Sequence, residues 1–193
     1  MRMRALVCLA FALSASGCKK NADVVAAAEE EQEKFRVTET LLPDGMTLQE
    51  LDLDNDKRPD VFNTYQPRTG ADRLLIRKEI DLNYDGKVDQ ITYFDETGEV
   101  EREEMDRDFD GQFDWTDHYQ DNIRVMTEVD DNRDGRMDVF SYYEGSPPKI
   151  TRKECDTNHD GLIDLWQRFD TSGAVNRTGR DTDGDGKMDV RDE

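Results

Sequence analysis

The stretch Asp130-Asp131-Asn132-Arg133-Asp134-Gly135-Arg136-Met137-Asp138, followed at once by Val139-Phe140-Ser141-Tyr142-Tyr143, decides how this chain is read. Its first nine residues have the form D-x-[DN]-x-D-G-x-x-D, with side-chain oxygens at loop positions 1, 3, 5 and 9. Ca²⁺ is a hard cation that takes six to eight oxygen ligands, and a loop of this spacing supplies them. The glycine at position 6 permits the positive φ with which the backbone turns around an ion. The five residues that follow are aromatic or β-branched for the most part. They favour a strand and stop at the turn signal Glu144-Gly145-Ser146-Pro147 before a helix could form.

Loops of this form begin at Asp52, Asp81, Asp106, Asp130, Asp156 and Asp181, so the interval is 24 to 29 residues. A steady period of that size is a repeat architecture and takes precedence over local readings. The candidate metal ligands are Asp52, Asp54, Asp56 and Asp60 in the first loop and Asp81, Asn83, Asp85 and Asp89 in the second. The third loop offers Asp106, Asp108, Asp110 and Asp114, and the fourth Asp130, Asn132, Asp134 and Asp138. Asp156, Asn158, Asp160 and Asp164 form the fifth set, and Asp181, Asp183, Asp185 and Asp189 the sixth. The first loop departs from the pattern: Lys57 stands where glycine is expected, which predicts a poorer turn and a weaker site.

The whole chain obeys one grammar. A loop is followed by a short strand, a tight turn, and a second strand that ends in an acid, an apolar residue and the next loop's first Asp. Glu79-Ile80-Asp81, Glu104-Met105-Asp106 and Glu154-Cys155-Asp156 are examples. The prediction is an all-β protein of repeated antiparallel hairpins, with calcium loops at one end and tight turns at the other. A meander, a solenoid-like coil and a closed barrel all satisfy it. Repeats of this kind cannot bury their faces alone and depend on stacked neighbours. Loop positions 8, 10 and 14 form an apolar column, as in Phe113, Trp115 and Tyr119, which is read as the core; Cys155 falls in a matching column as a small buried hydrophobe. Arg77, Arg102, Arg152 and Arg177 form another column, read first as cross-strand partners of Glu and alternatively as a surface for an anionic ligand.

The 193 residues suffice for one ordinary domain, and the net charge of −20, from 46 acidic and 26 basic residues, opposes nucleic acid as a partner. Twelve positive charges from six Ca²⁺ ions would offset much of it, so folding is expected to be coupled to metal. Nothing marks a catalytic site. The two histidines, His118 and His159, stand in no zinc or nucleophile constellation, and the chain is read as a non-enzyme.

Residues 1–17 have a basic start, Arg2 and Arg4, and an apolar run from Ala5 to Leu13 that is too short to span a bilayer. Ala15-Ser16-Gly17-Cys18 resembles the lipobox of bacterial lipoproteins. That resemblance implies a cleaved signal peptide over 1–17, a lipid on Cys18, and a lipid-anchored place in the cell envelope at the outer membrane in preference to the inner one. Residues 18–35 are expected to be a lipid-anchored spacer, helical or disordered, and 36–193 the calcium-binding β-repeat domain. The loops resemble those of EF-hands, dockerins, thrombospondin type 3 repeats and FG-GAP blades. The resemblance implies calcium; the strand flanks and the absence of a Glu at position 12 separate this chain from helical EF-hands.

The expected function is therefore that of a calcium-binding structural, adhesion or interaction module held at a membrane by its lipid, with an envelope protein or glycan as partner. The alternatives are a calcium-stabilised carbohydrate-binding or hydrolytic subunit, and a periplasmic calcium sensor.

Overall fold

A computed structural model describes residues 36–192. The proposed signal segment, Cys18 and the spacer lie outside the described residues. Thirteen strands follow one another: β1 (Arg36–Leu41), β2 (Thr47–Asp52), β3 (Val61–Gln66), β4 (Leu74–Ile80), β5 (Gln90–Phe94), β6 (Val100–Met105), β7 (Trp115–Gln120), β8 (Ile123–Val129), β9 (Val139–Glu144), β10 (Lys149–Cys155), β11 (Leu165–Phe169), β12 (Val175–Arg180) and β13 (Val190–Asp192). They form one antiparallel sheet in chain order, an open meander with β1 and β13 at its edges. The barrel option is thereby removed. Each strand contacts only its neighbours in sequence, so the sheet is a single layer.

Loops and tight turns segregate as the repeat grammar requires. The six aspartate loops join even strands to odd ones at one end of the sheet; short turns close the other end. From β3 onward every tight hairpin carries a bulge at the same place, with Ile76, Glu101, Val125, Thr151 and Asn176 as the extra residues. An extra residue increases the local right-handed twist. Repeating it once per hairpin gives each repeat the same bend.

A single layer has no second sheet to cover it, and this overturns the reading of the 8, 10, 14 column as an ordinary core. Phe113, Trp115 and Tyr119 are only half-buried, as are Val88, Phe94, Met137, Val139 and Tyr143. The buried hydrophobic side chains among the described residues are Val61, Ile91 and Cys155. Much more of what is buried is polar. Thr127 is 1 % exposed and donates to Asp117, itself buried, at 2.5 Å. Thr92 donates to Glu103, and Tyr119 reaches the same carboxylate at 2.9 Å. The stabilising units are therefore cross-strand side-chain ladders on the two faces.

The opposite face carries the arginine column, and here too the pairing differs from the expectation. Arg77, Arg102 and Arg152 do meet glutamates, but two residues along their own strands: Glu79 at 3.0 Å, Glu104 at 3.3 Å and Glu154 at 3.5 Å. Residues i and i+2 share a face of a strand, so an extended chain brings these groups together. Across the strands the arginines lie over rings. Arg102 stands 4.3 Å from the centre of Tyr93, and Arg152 stands 3.7 Å from that of Tyr142. Both pairs are in direct cross-strand register.

Candidate metal centres

Each loop is wound around its first aspartate. In the second loop Asp81 accepts from the N–H of Asp85 at 3.2 Å and of Gly86 at 2.7 Å. Asp106, Asp130, Asp156 and Asp181 each accept from the position-6 glycine at 2.6 to 2.8 Å. Position 3 then takes the N–H of position 5, and position 5 that of position 7, in all six loops; Asn132, Asp134 and Arg136 illustrate it at 2.8 and 2.9 Å. Position 9 closes the loop by accepting the N–H of position 2, as Asp89 does from Leu82 at 2.7 Å. The third loop differs. There the Arg107 Nε donates to Asp114 at 2.7 Å, and its guanidinium lies 4.4 Å from the centre of the Trp115 ring.

Two left-handed residues make the curl. One is position 6, as expected. Lys57 takes this conformation with φ 78°, and its N–H still reaches Asp52 at 3.0 Å. The lysine stands in the strained conformation that the sequence predicts for it, and the fold of the loop is kept. The other is position 4, where Asn55, Tyr84, Phe109, Arg133 and His159 all have φ between 59° and 68°. The sequence did not reveal it, because these side chains share no property; only their common offset from Asp could have pointed there.

The loops are stitched together. The N–H of each position-9 aspartate donates to the residue before position 1, as from Asp89 to Ile80 at 2.9 Å. The N–H of each following position-1 aspartate donates to the preceding position-9 carbonyl: Asp81 to Asp60, Asp106 to Asp89, Asp130 to Asp114, Asp156 to Asp138 and Asp181 to Asp164, at 2.8 to 3.0 Å. The result is a continuous row of twelve aspartates across one end of the sheet. Nine of them are buried: Asp52, Asp60, Asp81, Asp89, Asp106, Asp114, Asp130, Asp138 and Asp156. Successive loops are two strand spacings apart, roughly 10 Å.

Such a row needs positive charge. Part comes from the protein. Three basic position-7 side chains lie against the next loop's glycine: a Cβ on Gly86 would meet Arg58 Nη1 at 3.6 Å, one on Gly111 would meet Lys87 Nζ at 3.3 Å, and one on Gly161 would meet Arg136 Nη1 at 3.2 Å, while the neutral Gln112 and Leu162 take this place beside Gly135 and Gly186. Arg133 reaches back to Asp108 at 2.7 Å, and His159 Nδ1 lies 3.3 Å from Asp138 Oδ1. Burial raises the Asp138 carboxyl, yet the Asp131 N–H, the His159 ring and the Asn132 N–H together hold it below its ordinary value. In the last loop the balance fails beside the row: the Asp189 charge, with Asp185 and Asp181, pushes Asp183 at position 3 above the usual carboxylate value.

In three loops the carboxylates converge. Asp52, Asp54 and Asp60 bring one oxygen each within 4.8 Å of one another, as do Asp106, Asp108 and Asp114, and Asp181, Asp183 and Asp189. These clusters can hold a metal ion, and a donor set made of oxygen alone suits a hard cation. Asp56, Asp110 and Asp185 stay outside the clusters and accept position-7 N–H groups. In the other loops Asn83, Asn132 and Asn158 turn their amide nitrogens to Asp85, Asp134 and Asp160, leaving two carboxylates, positions 1 and 9, at the stitched seam.

No protein-family model matches the chain, and a comparison with curated proteins also finds no match.

Proposed function

We propose that this chain is a calcium-binding protein of the bacterial cell envelope, anchored by a lipid on Cys18 at the outer membrane, in which the ions lock consecutive hairpins into one extended sheet. It acts as a structural, adhesion or interaction module, not as an enzyme, and presents its long faces to an envelope protein or glycan. The observation that carries the reading is the stitched row of buried aspartates. Buried carboxylates in series are destabilising unless cations offset them, and the side-chain cations at the seam are fewer than the carboxylates. Calcium is favoured over softer metals by the oxygen donors, and over magnesium by loops that supply several carboxylates each.

The test is thermal unfolding of the purified chain in calcium and in chelator. An ion held at ten times its dissociation constant stabilises by about 1.4 kcal/mol. Several sites together therefore amount to several kcal/mol, and the melting temperature should rise by about 10 °C or more. Equal melts in the two conditions would refute the reading and leave the loops as turns held by their own hydrogen bonds.

A further inference from the structure

The aspartate row is not secured equally along its length. Two side chains stand at each junction between successive loops. One is position 7 of the earlier loop, which lies against the later loop's glycine. The other is position 4 of the later loop, from which Arg133 and His159 reach back. The first four junctions each hold a protein cation at one of these places: Arg58 at the first, Lys87 at the second, Arg133 at the third, and Arg136 at the fourth, where His159 joins it. At the fifth, position 7 is Leu162 and position 4 is Gly184, so neither place holds a cation. The sixth loop's own Lys187 pairs with Asp185 at 2.6 Å, outside the converging carboxylates.

That convergence is the same in the third and sixth loops, and the counter-charge is not. In the third, Arg107 and Arg133 pair with two of the three carboxylates, Asp114 and Asp108. In the sixth, Asp181, Asp183 and Asp189 accept from backbone N–H groups and the Thr182 hydroxyl, which carry no net charge. Burial follows the same gradient. The nine buried aspartates are the first nine of the row; Asp164, Asp181 and Asp189, the last three, are not buried. A terminal place alone does not explain this. The first loop also has a loop neighbour on one side only, yet Asp52 and Asp60 are each 3 % exposed. The strands agree with the loops. Thr92, Glu103, Asp117, Thr127 and Ser141 stand in direct cross-strand register over β5 to β9, and all but Glu103 are buried. In β12 four of six residues are exposed, and β13 pairs with it through three.

We propose that β12, the sixth loop and β13 form a calcium-operated end of the sheet. This end opens locally, ahead of the other repeats, in the absence of the ion, and closes onto β11 when an ion neutralises Asp181, Asp183 and Asp189. The proposal rests on the calcium reading and adds where the sheet responds to it. A repeat is held by its neighbours, and segments with few buried contacts open first. When β13 leaves, Thr178, Gly179 and Arg180 lose their partners, and β12 becomes an edge with unpaired backbone groups. The ion thus decides whether the sheet ends in a closed strand or an open one.

Hydrogen exchange of the full chain in calcium and in chelator, read by peptide, tests this. The reporters are the N–H groups of Asp181, Gly186 and Asp189, which donate to the Asp164 carbonyl, the Asp181 carboxylate and the Arg180 carbonyl. With calcium at about ten times its dissociation constant they should exchange about tenfold slower than in chelator, and the change over β5 to β9 should be smaller. Leu162→Arg supplies the last junction with the kind of cation the others carry; Leu162 is exposed, and its Cδ2 would lie 3.4 Å from a Cβ on Gly186. The variant should slow exchange of this end in chelator and shrink the effect of calcium there. Equal protection by calcium along the whole row would overturn the proposal and leave the calcium reading standing. Protection nowhere would overturn both. A Leu162→Arg chain whose end opens in chelator as readily as its parent's would sink the charge argument and the proposal with it.

Discussion

Lys57→Gly isolates the role of loop position 6. Lys57 is the non-glycine residue at a position where Gly86, Gly111, Gly135, Gly161 and Gly186 all have positive φ, and its own φ is 78°. Holding an L-residue in the left-handed region costs about 1–2 kcal/mol. A glycine loses more chain entropy on folding, which returns about 0.5–1 kcal/mol of that. The net gain expected is therefore about 0.5–1 kcal/mol, or about 1–4 °C in melting temperature for a chain of this size. On the proposed calcium reading there is a second contribution. An ammonium about 8 Å from a divalent ion in water-like surroundings repels it by about 1 kcal/mol, less after salt screening, so the first loop should bind calcium about two- to fivefold tighter in the variant. The assay is thermal unfolding of both proteins in chelator and in calcium, with calcium titrated by calorimetry. The stabilisation should appear in chelator and grow in calcium. Gly86→Lys in the second loop should do the reverse, losing about 1 kcal/mol. A Lys57→Gly protein no more stable than its parent in either condition, or a Gly86→Lys variant that loses nothing, would refute the account of the turn.

Arg107 occupies Asp114 at 2.7 Å, within one of the converging clusters. Arg107→Gln should free that carboxylate and raise calcium affinity at the third loop a few-fold; an affinity that falls would mean the arginine helps to shape the site. Asp95 and Asp170 cap two tight turns, and the Thr97 and Ser172 hydroxyls, with turn N–H groups, hold their carboxyls below the ordinary value. A lowered folded-state value stabilises above the unfolded value near pH 3.9 and is lost as pH falls through the folded one. NMR titration should give midpoints below that of a free aspartate, and Thr97→Val should move that of Asp95 upward; an unmoved midpoint would refute the cap. Cys155 is 6 % exposed and burial raises its thiol. Peptide mapping after treatment with a thiol reagent should find it unmodified in the folded chain and modified after unfolding, whereas rapid modification under native conditions would place it at the surface.

Much of this protein was legible because its structure is local. A loop of spaced carboxylates, a strand of five to seven residues and a turn containing glycine are each specified within a dozen residues. The antiparallel pairing of successive strands follows from their short connections. The loop interior was legible in part. Positions 1, 3 and 9 are recognisable as candidate ligands from their spacing, but Asp56, Asp110 and Asp185 have the same spacing logic and stay outside the three converging clusters. Oxygens at ligand spacing and oxygens at turn spacing look alike until the backbone is folded.

By itself, then, the sequence determined the repeat unit, its all-β hairpins and the end of the sheet at which the aspartates gather. The tertiary structure decided that the sheet remains one open layer, that positions 1 and 9 of successive loops join into a single row buried for most of its length, and that Arg152, Arg168 and Arg177 align. Closure depends on accumulated twist and on whether β1 and β13 can meet, and no single repeat encodes either. Alignment depends on register, which the recurrent bulges shift by one residue in each tight hairpin from β3 onward. A one-residue shift changes which side chains face one another, so these neighbours are fixed only when the strands pair.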